Sequence, residues 1–199
     1  METPASNIAD FLLQIKAVKL QPDNPFTWAS GWKSPIYCDN RVTLSHPRIR
    51  TYIRQELVKV IDDKFGPPDL IAGVATGAIA HGVLVAEAMG LPFVYVRPSA
   101  KDHGRQNIIE GEVKENQSCV VIEDLISTGR SSLAAVQALR DNGVIVKGMV
   151  SVFNYGFEIA NENFRMANCP VYSLSNYEIL IQEAIEQGYI RKDDEDNLR

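Results

Sequence analysis

The chain has 199 residues, 45% apolar and 23% charged, a composition typical of a globular protein of about one domain rather than of a disordered or fibrous chain. The 20 basic and 25 acidic residues give a net charge of −5, which disfavours general nucleic-acid binding through phosphate neutralisation. The longest near-apolar run, residues 70–80, falls short of the roughly 20 residues that span a bilayer, and residues 1–10 lack the basic region of a secretory signal. We therefore expect a cytoplasmic protein with neither a membrane nor a nucleic-acid partner.

The cysteines and histidines do not form a recognisable metal or disulfide pattern. Cys38, Cys119 and Cys169 are odd in number and far apart, and no histidine lies near them at the spacing of a zinc site. We expect all three cysteines to be buried or half-buried thiols in a reducing compartment. His46 and His81 are expected to be helix-surface or packing residues.

The N-terminal part of the chain predicts two helices separated by a strand-rich segment. Apolar residues at three- and four-residue spacing, ending with Val18, indicate an amphipathic helix over 5–19. Pro47 can open a second helix whose buried face includes Ile53 and Leu57. The intervening sequence F-T-W-A-S-G-W-K-S-P-I-Y-C-D, residues 26–39, is typical of two short strands joined by a turn.

From residue 70 onward, apolar strands alternate with helices. The predicted strands are 70–74, 93–96, 118–122 and 144–153, and the predicted helices are about 77–89 and 129–141. This alternation predicts an α/β fold with a central, mainly parallel sheet flanked by helices, in which ligands bind at the carboxyl ends of the strands. The charged tail, 191–199, is expected to be frayed.

The most informative motif is V-V-I-E-D-L-I-S-T-G-R-S-S, residues 120–132, in which a buried strand leads into a small, hydroxyl-rich turn. Such a turn presents backbone N–H groups and hydroxyls at a helix start, where the helix dipole favours a phosphate. Its residues are Ser127, Thr128, Gly129, Arg130 and Ser131. The alternative interpretation is that the Ser and Thr side chains merely cap the helix.

Two acidic residues, Glu123 and Asp124, immediately precede this turn. Carboxylates would repel a phosphate but can accept hydrogen bonds from the vicinal hydroxyls of a sugar, so we expect both to be exposed at the end of the strand. The combination fits a ribose 5-phosphate. The sequence has no P-loop and no G-x-G-x-x-G motif here, so it supports neither an ATPase nor a dehydrogenase.

Residues 120–132 resemble the phosphoribosyl pyrophosphate (PRPP) motif of type I phosphoribosyltransferases: hydrophobic strand residues, an acidic pair and a T-G turn. The resemblance implies that this motif binds PRPP, including through Leu125 and Ile126. It also implies the fold of that family, with a small N-terminal hood over the sheet.

Two further segments resemble orotate phosphoribosyltransferases. The polar interval R-P-S-A-K-D-H-G-R-Q-N-I-I-E-G, residues 97–111, is similar to their catalytic loop, and residues 26–37 are similar to their hood. The resemblance implies one domain, 1–199, with a hood at about 20–45 and a mobile catalytic loop at about 98–109. Arg97, Lys101 and His103 would then contact the pyrophosphate, and Lys101, His103 and Asp124 would be catalytic. Taken alone, the interval is also what an ordinary solvated loop looks like.

The chain departs from this family at three positions where many members have a basic residue, namely Ala29, Thr76 and Pro98. Contacts made by those basic residues cannot be transferred to this chain. The loop 73–77 still resembles the family's pyrophosphate loop, and we expect it to act through backbone N–H groups and the Thr76 hydroxyl. A plain strand-to-helix turn is the alternative.

The resemblance implies transfer of ribose 5-phosphate from PRPP to N1 of orotate, giving orotidine 5′-monophosphate and pyrophosphate. Phe26, Arg41 and Ser127 are the predicted orotate contacts. Mg²⁺ would be held mainly through substrate and water, with no protein ligand. The mobile catalytic loop would act as a lid on the active site of the neighbouring subunit in a homodimer. The rival hypotheses are a phosphoribosyltransferase for another base and a non-catalytic PRPP-sensing regulator.

Overall fold

Helices and strands alternate along most of the chain, and the computed structural model describes residues 3–22, 24–27, 31, 33–98 and 108–198, apart from the side chains of 196 and 197. The helices in these ranges are α1 (Pro4–Gln14), α2 (Pro47–Phe65), α3 (Ile79–Met89), α4 (Arg130–Asp141), α5 (Glu158–Met166), α6 (Tyr177–Glu186) and α7 (Glu195–Leu198). The strands there are β1 (Val18–Leu20), β2 (Phe26–Thr27), β3 (Lys33–Ser34), β4 (Ile36–Cys38), β5 (Leu70–Val74), β6 (Phe93–Val96), β7 (Ile109–Glu110), β8 (Ser118–Ile126), β9 (Ile145–Asn154) and β10 (Val171–Asn176). Short 3-10 helices cover Asn40–Ser45 and Lys192–Asp194.

The central sheet has six strands in the order β10-β9-β8-β5-β6-β7. All neighbouring pairs are parallel except β6 and β7, which run antiparallel. The predicted α/β fold with a mainly parallel sheet is confirmed. The carboxyl end of β5 lies beside β8, because Gly73 is in register with Ile122, and β8 continues from there to Ile126. The loops that follow these two strands are therefore neighbours.

Helices cover both faces of this sheet, which explains why its strands are apolar without alternation. One face packs against α1, α2, α3 and α6, and the other packs against α4 and α5. Every residue of β5 is buried. The predicted inner face of α2 is confirmed, since Ile53, Leu57 and Ile61 are fully buried. The result is a rigid platform from which the loops at the carboxyl edge project.

The first predicted helix is shorter than its sequence pattern indicated. Helix α1 ends at Gln14, and Lys16 then adopts a positive φ of 58°. Val18, which was assigned to the helix, lies instead in β1 and pairs with Cys38 of β4. Apolar residues at helical spacing can equally serve a short strand, and pairing with a distant segment decided the outcome here.

Among its described residues, the hood contains two small antiparallel strand pairs, where one was predicted. The predicted hairpin is present as β2 and β3, in which Phe26 is in register with Ser34. The second pair, β1 with β4, joins the end of the first helical segment to the hood. The 3-10 helix Asn40–Ser45 then connects the hood to α2.

Two further boundaries differ from prediction. Strand β8 continues to Ile126 instead of ending at residue 122, so Glu123 and Asp124 lie within the strand. The tail is not frayed in the described residues, because Leu198 is buried and its carbonyl accepts a hydrogen bond from the Tyr177 hydroxyl at 2.7 Å. The many charged residues of the tail therefore do not prevent its last described residues from packing against the rest of the protein.

Candidate active site

A cavity of about 330 Å³ lies at the carboxyl edge of the sheet, where the hood, the β5–α3 loop and the end of β8 meet. We call it the central cavity. Its lining residues are Cys38, Asp39, Arg41, Val74, Ala75, Thr76, Gly77, Glu123, Asp124, Leu125 and Ser131. The structure thus brings together Arg41 of the hood, Thr76 of the loop 73–77, and part of the 120–132 motif. The motif residues in this lining are Glu123, Asp124, Leu125 and Ser131, whereas residues 126–130 do not line the cavity.

Asp124 presents its carboxyl group to this cavity over the β5–α3 loop. The closeness is evident at Gly77, where an added Cβ would lie 2.0 Å from Asp124 Oδ2. Glycine at this position therefore permits the carboxylate to lie against the loop backbone. Asp124 is half-buried, which leaves its oxygens able to accept hydrogen bonds from a ligand.

Glu123 is buried, with 4% of its surface exposed, which contradicts the expectation that both acids are exposed. Its Oε2 accepts a hydrogen bond from Ser132 Oγ at 2.7 Å, and its Oε1 accepts one from the Asp124 N–H at 2.9 Å. Burial and the adjacent negative charge of Asp124 raise the pKa of the Glu123 carboxyl well above its usual range. Side chains alternate along a strand, so the residue next to a cavity-facing one can point into helix packing instead.

The hydroxyl-rich turn leads into α4 as predicted. Gly129 adopts a positive φ of 76° at the N-cap, and no side chain caps the helix. Thr3 caps α1 and Asn176 caps α6, whereas α2, α3 and α5, like α4, begin without a side-chain cap hydrogen bond. The interpretation of this turn as an ordinary capped helix start is therefore wrong, and the N–H groups of the first turn of α4 make no side-chain cap hydrogen bond.

The residues of this turn differ in their surroundings. Ser131 lines the central cavity and Arg130 is exposed, whereas Ile126 is fully buried in the core. The Thr128 carbonyl accepts a hydrogen bond from Asn163 Nδ2 at 3.0 Å, which anchors the turn to α5. Ser127 is half-buried.

Arg41 lines the central cavity but already has a partner. Its Nε and Nη2 donate to the two carboxylate oxygens of Asp39 at 2.7 and 2.9 Å. These hydrogen bonds hold the pKa of Asp39 below its ordinary value. A ligand carboxylate would have to replace or share Asp39 to be bound by Arg41.

Two predicted residues lie elsewhere in the described structure. The Phe26 ring packs against Tyr37 with centroids 5.8 Å apart, and Phe26 does not line the central cavity. Arg97 follows β6, where its backbone N–H donates to the Ile108 carbonyl at 2.8 Å and its Nη1 lies 3.6 Å from Glu110 Oε1. Lys101, His103 and Ala29 lie outside the described residues.

The contribution of the hood residues at the end of β4 and directly after it was not predicted from the sequence. Cys38 and Asp39 line the central cavity, and Asn40 Nδ2 donates to the Asp124 carbonyl at 2.6 Å. No local pattern marks Asn40 as a contact of a residue 84 positions away. The three cysteines are free and buried, as expected.

Within the described ranges, no three His, Cys, Asp or Glu side chains come together as a possible metal-binding group. Asp39 and Asp124 are acidic residues of the central cavity, and carboxylate oxygens suit a hard cation such as Mg²⁺. A cation here would therefore need most of its ligands from substrate or water. Among the same residues, no helix is both long and apolar enough to cross a membrane.

The chain resembles known proteins over nearly its full length. Residues 43–168 match the model of the phosphoribosyl transferase domain family. An orotate phosphoribosyltransferase from Porphyromonas gingivalis is 56% identical over 199 residues, which cover 100% of this chain and 95% of that protein.

Solved structures agree with this resemblance. The crystal structure of an orotate phosphoribosyltransferase from Aeropyrum pernix is similar with a TM-score of 0.79 and 25% identity, covering 92% of this chain and 99% of that one. A UMP synthase from Leishmania donovani has a TM-score of 0.82 and 26% identity, covering 98% of this chain and 41% of the longer one. The family match spans both the acidic pair and the hydroxyl-rich turn. The chain is therefore a member of the orotate phosphoribosyltransferase family.

Proposed function

We propose that this protein transfers ribose 5-phosphate from PRPP to N1 of orotate, forming orotidine 5′-monophosphate and pyrophosphate. The observation that carries the proposal is the start of α4, which has no side-chain cap although it is rich in hydroxyls and lies beside Asp124 in the central cavity. An anion-binding helix start next to a sugar-binding carboxylate suits a phosphorylated ribose.

The phosphate end of the sugar would bind the turn of residues 127–131. Its backbone N–H groups and hydroxyls would hold the 5′-phosphate, and Gly129 provides the positive φ that the turn requires. Leu125 and Ile126 would contribute through the strand that carries the turn. Asp124 would accept hydrogen bonds from the ribose hydroxyls. Glu123 would do the same if its hydrogen bond with Ser132 were broken.

The reaction needs positioning more than a covalent nucleophile. Substitution at the anomeric carbon passes through an oxocarbenium-like sugar, so holding the base and the pyrophosphate in line and stabilising the separating charges lower the barrier. Asp124 orients the ribose for this step and its negative charge favours the cationic sugar. The loop 73–77 would bind the pyrophosphate through backbone N–H groups and the Thr76 hydroxyl.

Basic residues would close over the leaving group. Arg97, Lys101 and His103 would stabilise the negative charge that builds on the pyrophosphate, and closure would keep water from the activated sugar. Arg97 is held near Glu110 in the structure and would exchange that partner for the pyrophosphate.

The base would bind on the hood side of the central cavity. Arg41 supplies a planar guanidinium that suits the orotate carboxylate. Its ion pair with Asp39 holds the guanidinium in the hood wall of the central cavity. Ser127 would contact the base from the opposite side. Phe26 stays a prediction as a stacking residue, although its ring packs against Tyr37.

Mg²⁺ would be bound by the pyrophosphate and sugar oxygens together with water, with Asp124 as the nearest suitable carboxylate. When bound, the ion neutralises part of the pyrophosphate charge. A cytoplasmic location also remains part of the proposal.

The function is tested by incubating the protein with PRPP, Mg²⁺ and a panel of purine and pyrimidine bases, and following pyrophosphate release. Pyrophosphate release with orotate and with no other base of the panel supports the proposal. Release with a different base would assign another phosphoribosyltransferase activity, and PRPP binding without release would indicate a regulator.

We also propose a homodimer in which the lid of one subunit serves the site of the other. Lys101→Ala and Asp124→Asn should each be nearly inactive, but one composite site of a mixed dimer would carry both defects and the other neither. Mixing the two variants should then recover up to about a quarter of wild-type activity, because half of the dimers are mixed and each mixed dimer has one intact site of two. Absence of recovery after verified subunit exchange would mean that Lys101 acts within its own subunit or that the active unit is a monomer.

A further inference from the structure

Three polar residues are buried beneath the hood, next to the central cavity. Asn40, Thr43 and His81 are each at most 1% exposed. Buried polar groups destabilise a protein unless they are hydrogen-bonded, so their partners indicate what they hold together. These three belong to the 3-10 helix Asn40–Ser45 and to α3, and their bonds extend to β8.

Asn40 contacts β8 on the side where its pairing with β5 has ended, while its pairing with β9 continues to Ile126. The pairing of β8 with β5 stops at Ile122, two residues before Asp124. Beyond that point Asn40 Nδ2 donates to the Asp124 carbonyl at 2.6 Å, while Glu123 Oε1 accepts from the Asp124 N–H at 2.9 Å. Two side chains therefore hold the backbone of Asp124 on both sides of its Cα.

The same amide is attached to the hood. Its Oδ1 accepts a hydrogen bond from the Cys38 thiol at 3.2 Å, so one side chain joins the end of β4 to β8. Cys38 and Asp124 both line the central cavity. The Asn40 amide thus sets the spacing between the hood wall, where the base is proposed to bind, and the carboxylate proposed to bind the ribose.

The backbone of Asn40 is fixed by the other two buried residues. Thr43 Oγ1 lies 2.6 Å from the Asn40 carbonyl and 3.2 Å from His81 Nε2. Because the hydroxyl has one proton and the carbonyl can only accept, Thr43 donates to Asn40 and accepts from His81 Nε2–H. Burial lowers the pKa of His81 to about 4, so at neutral pH the ring is uncharged and carries its proton on Nε2.

We infer that Asn40 is a positioning residue of this enzyme: its side-chain amide binds the Asp124 carbonyl where β5 no longer pairs with β8, and it holds the carboxylate at a fixed distance from the end of β4. The inference depends on the role proposed for Asp124. Loss of the amide should let β8 and the hood shift independently, and a misplacement of about 1 Å can cost roughly 10²-fold in rate.

The test uses Asn40→Ala with Ser151→Ala as the matched control. Ser151 is also fully buried in the sheet and shares a 2.7 Å hydrogen bond with Ser173. At a temperature where both variants are folded, we expect Asn40→Ala to lower kcat by roughly 10-fold or more with a smaller change in the KM for PRPP. Ser151→Ala should keep kcat within about twofold at a similar loss of thermal stability.

A second readout needs no turnover. Because the Cys38 thiol loses its acceptor, Asn40→Ala should increase the rate at which a thiol reagent modifies Cys38, measured by peptide mass mapping. Cys119 and Cys169 are buried elsewhere and report global opening. Faster modification of Cys38 alone indicates local release of the hood.

The outcomes separate this inference from the proposed reaction. Faster modification of all three cysteines together, or equal kcat values for Asn40→Ala and Ser151→Ala, would mean that Asn40 only stabilises the fold. Wild-type protein that is inactive with orotate would refute the reaction and leave the Cys38 result interpretable. If Asn40→Ala does not fold, Asn40→Leu keeps a similar volume without the amide, and the same two measurements apply.

Discussion

The two neighbouring carboxylates of β8 occupy different surroundings. Glu123 points into the packing of α4 and accepts a hydrogen bond from Ser132, whereas Asp124 lies over Gly77 at the wall of the central cavity. Both acids line the central cavity, but Glu123 is buried and bonded to α4, whereas Asp124 is half-buried and lies against the β5–α3 loop. The alternation of side chains along a strand is the physical basis of this division.

The largest effect is expected for Asp124→Asn. The substitution keeps the shape of the side chain but removes the negative charge that is proposed to orient the sugar, so kcat should fall by roughly 10²-fold or more. Thermal unfolding should shift by less than about 3 °C, because Asp124 is bonded to Asn40 through its backbone, which the variant retains. Steady-state kinetics and a melting curve check both. Full turnover combined with a much lower melting temperature would assign Asp124 a purely structural role.

Gly77→Ala should disturb the same carboxylate from the loop side. Its Cβ would lie 2.0 Å from Asp124 Oδ2, so the carboxylate or the loop must move, and kcat should fall by about 10-fold to 10²-fold. The matched control is Gly188→Ala, where no atom lies within 4 Å of the added Cβ and only the positive φ of 74° is strained. That control should lose about 1 kcal/mol of stability and keep its kcat. Equal kcat values for the two variants would show that the approach to Asp124 is unimportant.

Ser132→Ala tests the packing side of the strand. Removing the hydroxyl leaves the buried Glu123 Oε2 without its donor at 2.7 Å, which should lower the free energy of unfolding by about 1–3 kcal/mol. Ser131→Ala is the neighbouring control, because Ser131 is exposed and should change stability by less than about 0.5 kcal/mol. Urea unfolding measures both. A larger loss of stability in Ser131→Ala would contradict the assignment.

Glu123→Gln should give the smallest effect, a change in the pH dependence of stability. The folded-state pKa of Glu123 is raised above its ordinary value of 4.5. The stability from this group is therefore fully present below about pH 4.5 and is lost as the pH rises through the raised folded-state pKa. Glutamine does not titrate, so the variant should gain stability relative to wild type with rising pH, by at most about 1.4 kcal/mol per pH unit.

This prediction is checked by urea unfolding of both proteins at several pH values above 4.5. Parallel stability profiles would show that Glu123 does not titrate differently in the folded state. The kcat of the same variant sharpens the comparison of the two acids. A fall as large as that of Asp124→Asn, with unchanged stability, would make Glu123 an equal ligand of the ribose.

Much of the fold was predictable because its signals are local. The boundaries of β5 and β6 agree with their apolar runs, and α2 begins at the proline that can open a helix. The turn that leads into α4 was recognisable from its small and hydroxyl-bearing residues together with the acidic pair. These are properties of neighbouring residues, which the order of the chain fixes directly.

The tertiary structure decided what depends on distant partners. Val18 joined a strand because Cys38 lay opposite, and β8 extended past Ile122 because β9 continues beside it. Glu123 became buried only when α4 brought Ser132 within 2.7 Å. Asn40 gained its contact with Asp124 through packing across 84 residues, and no local sequence pattern encodes a partner at that separation.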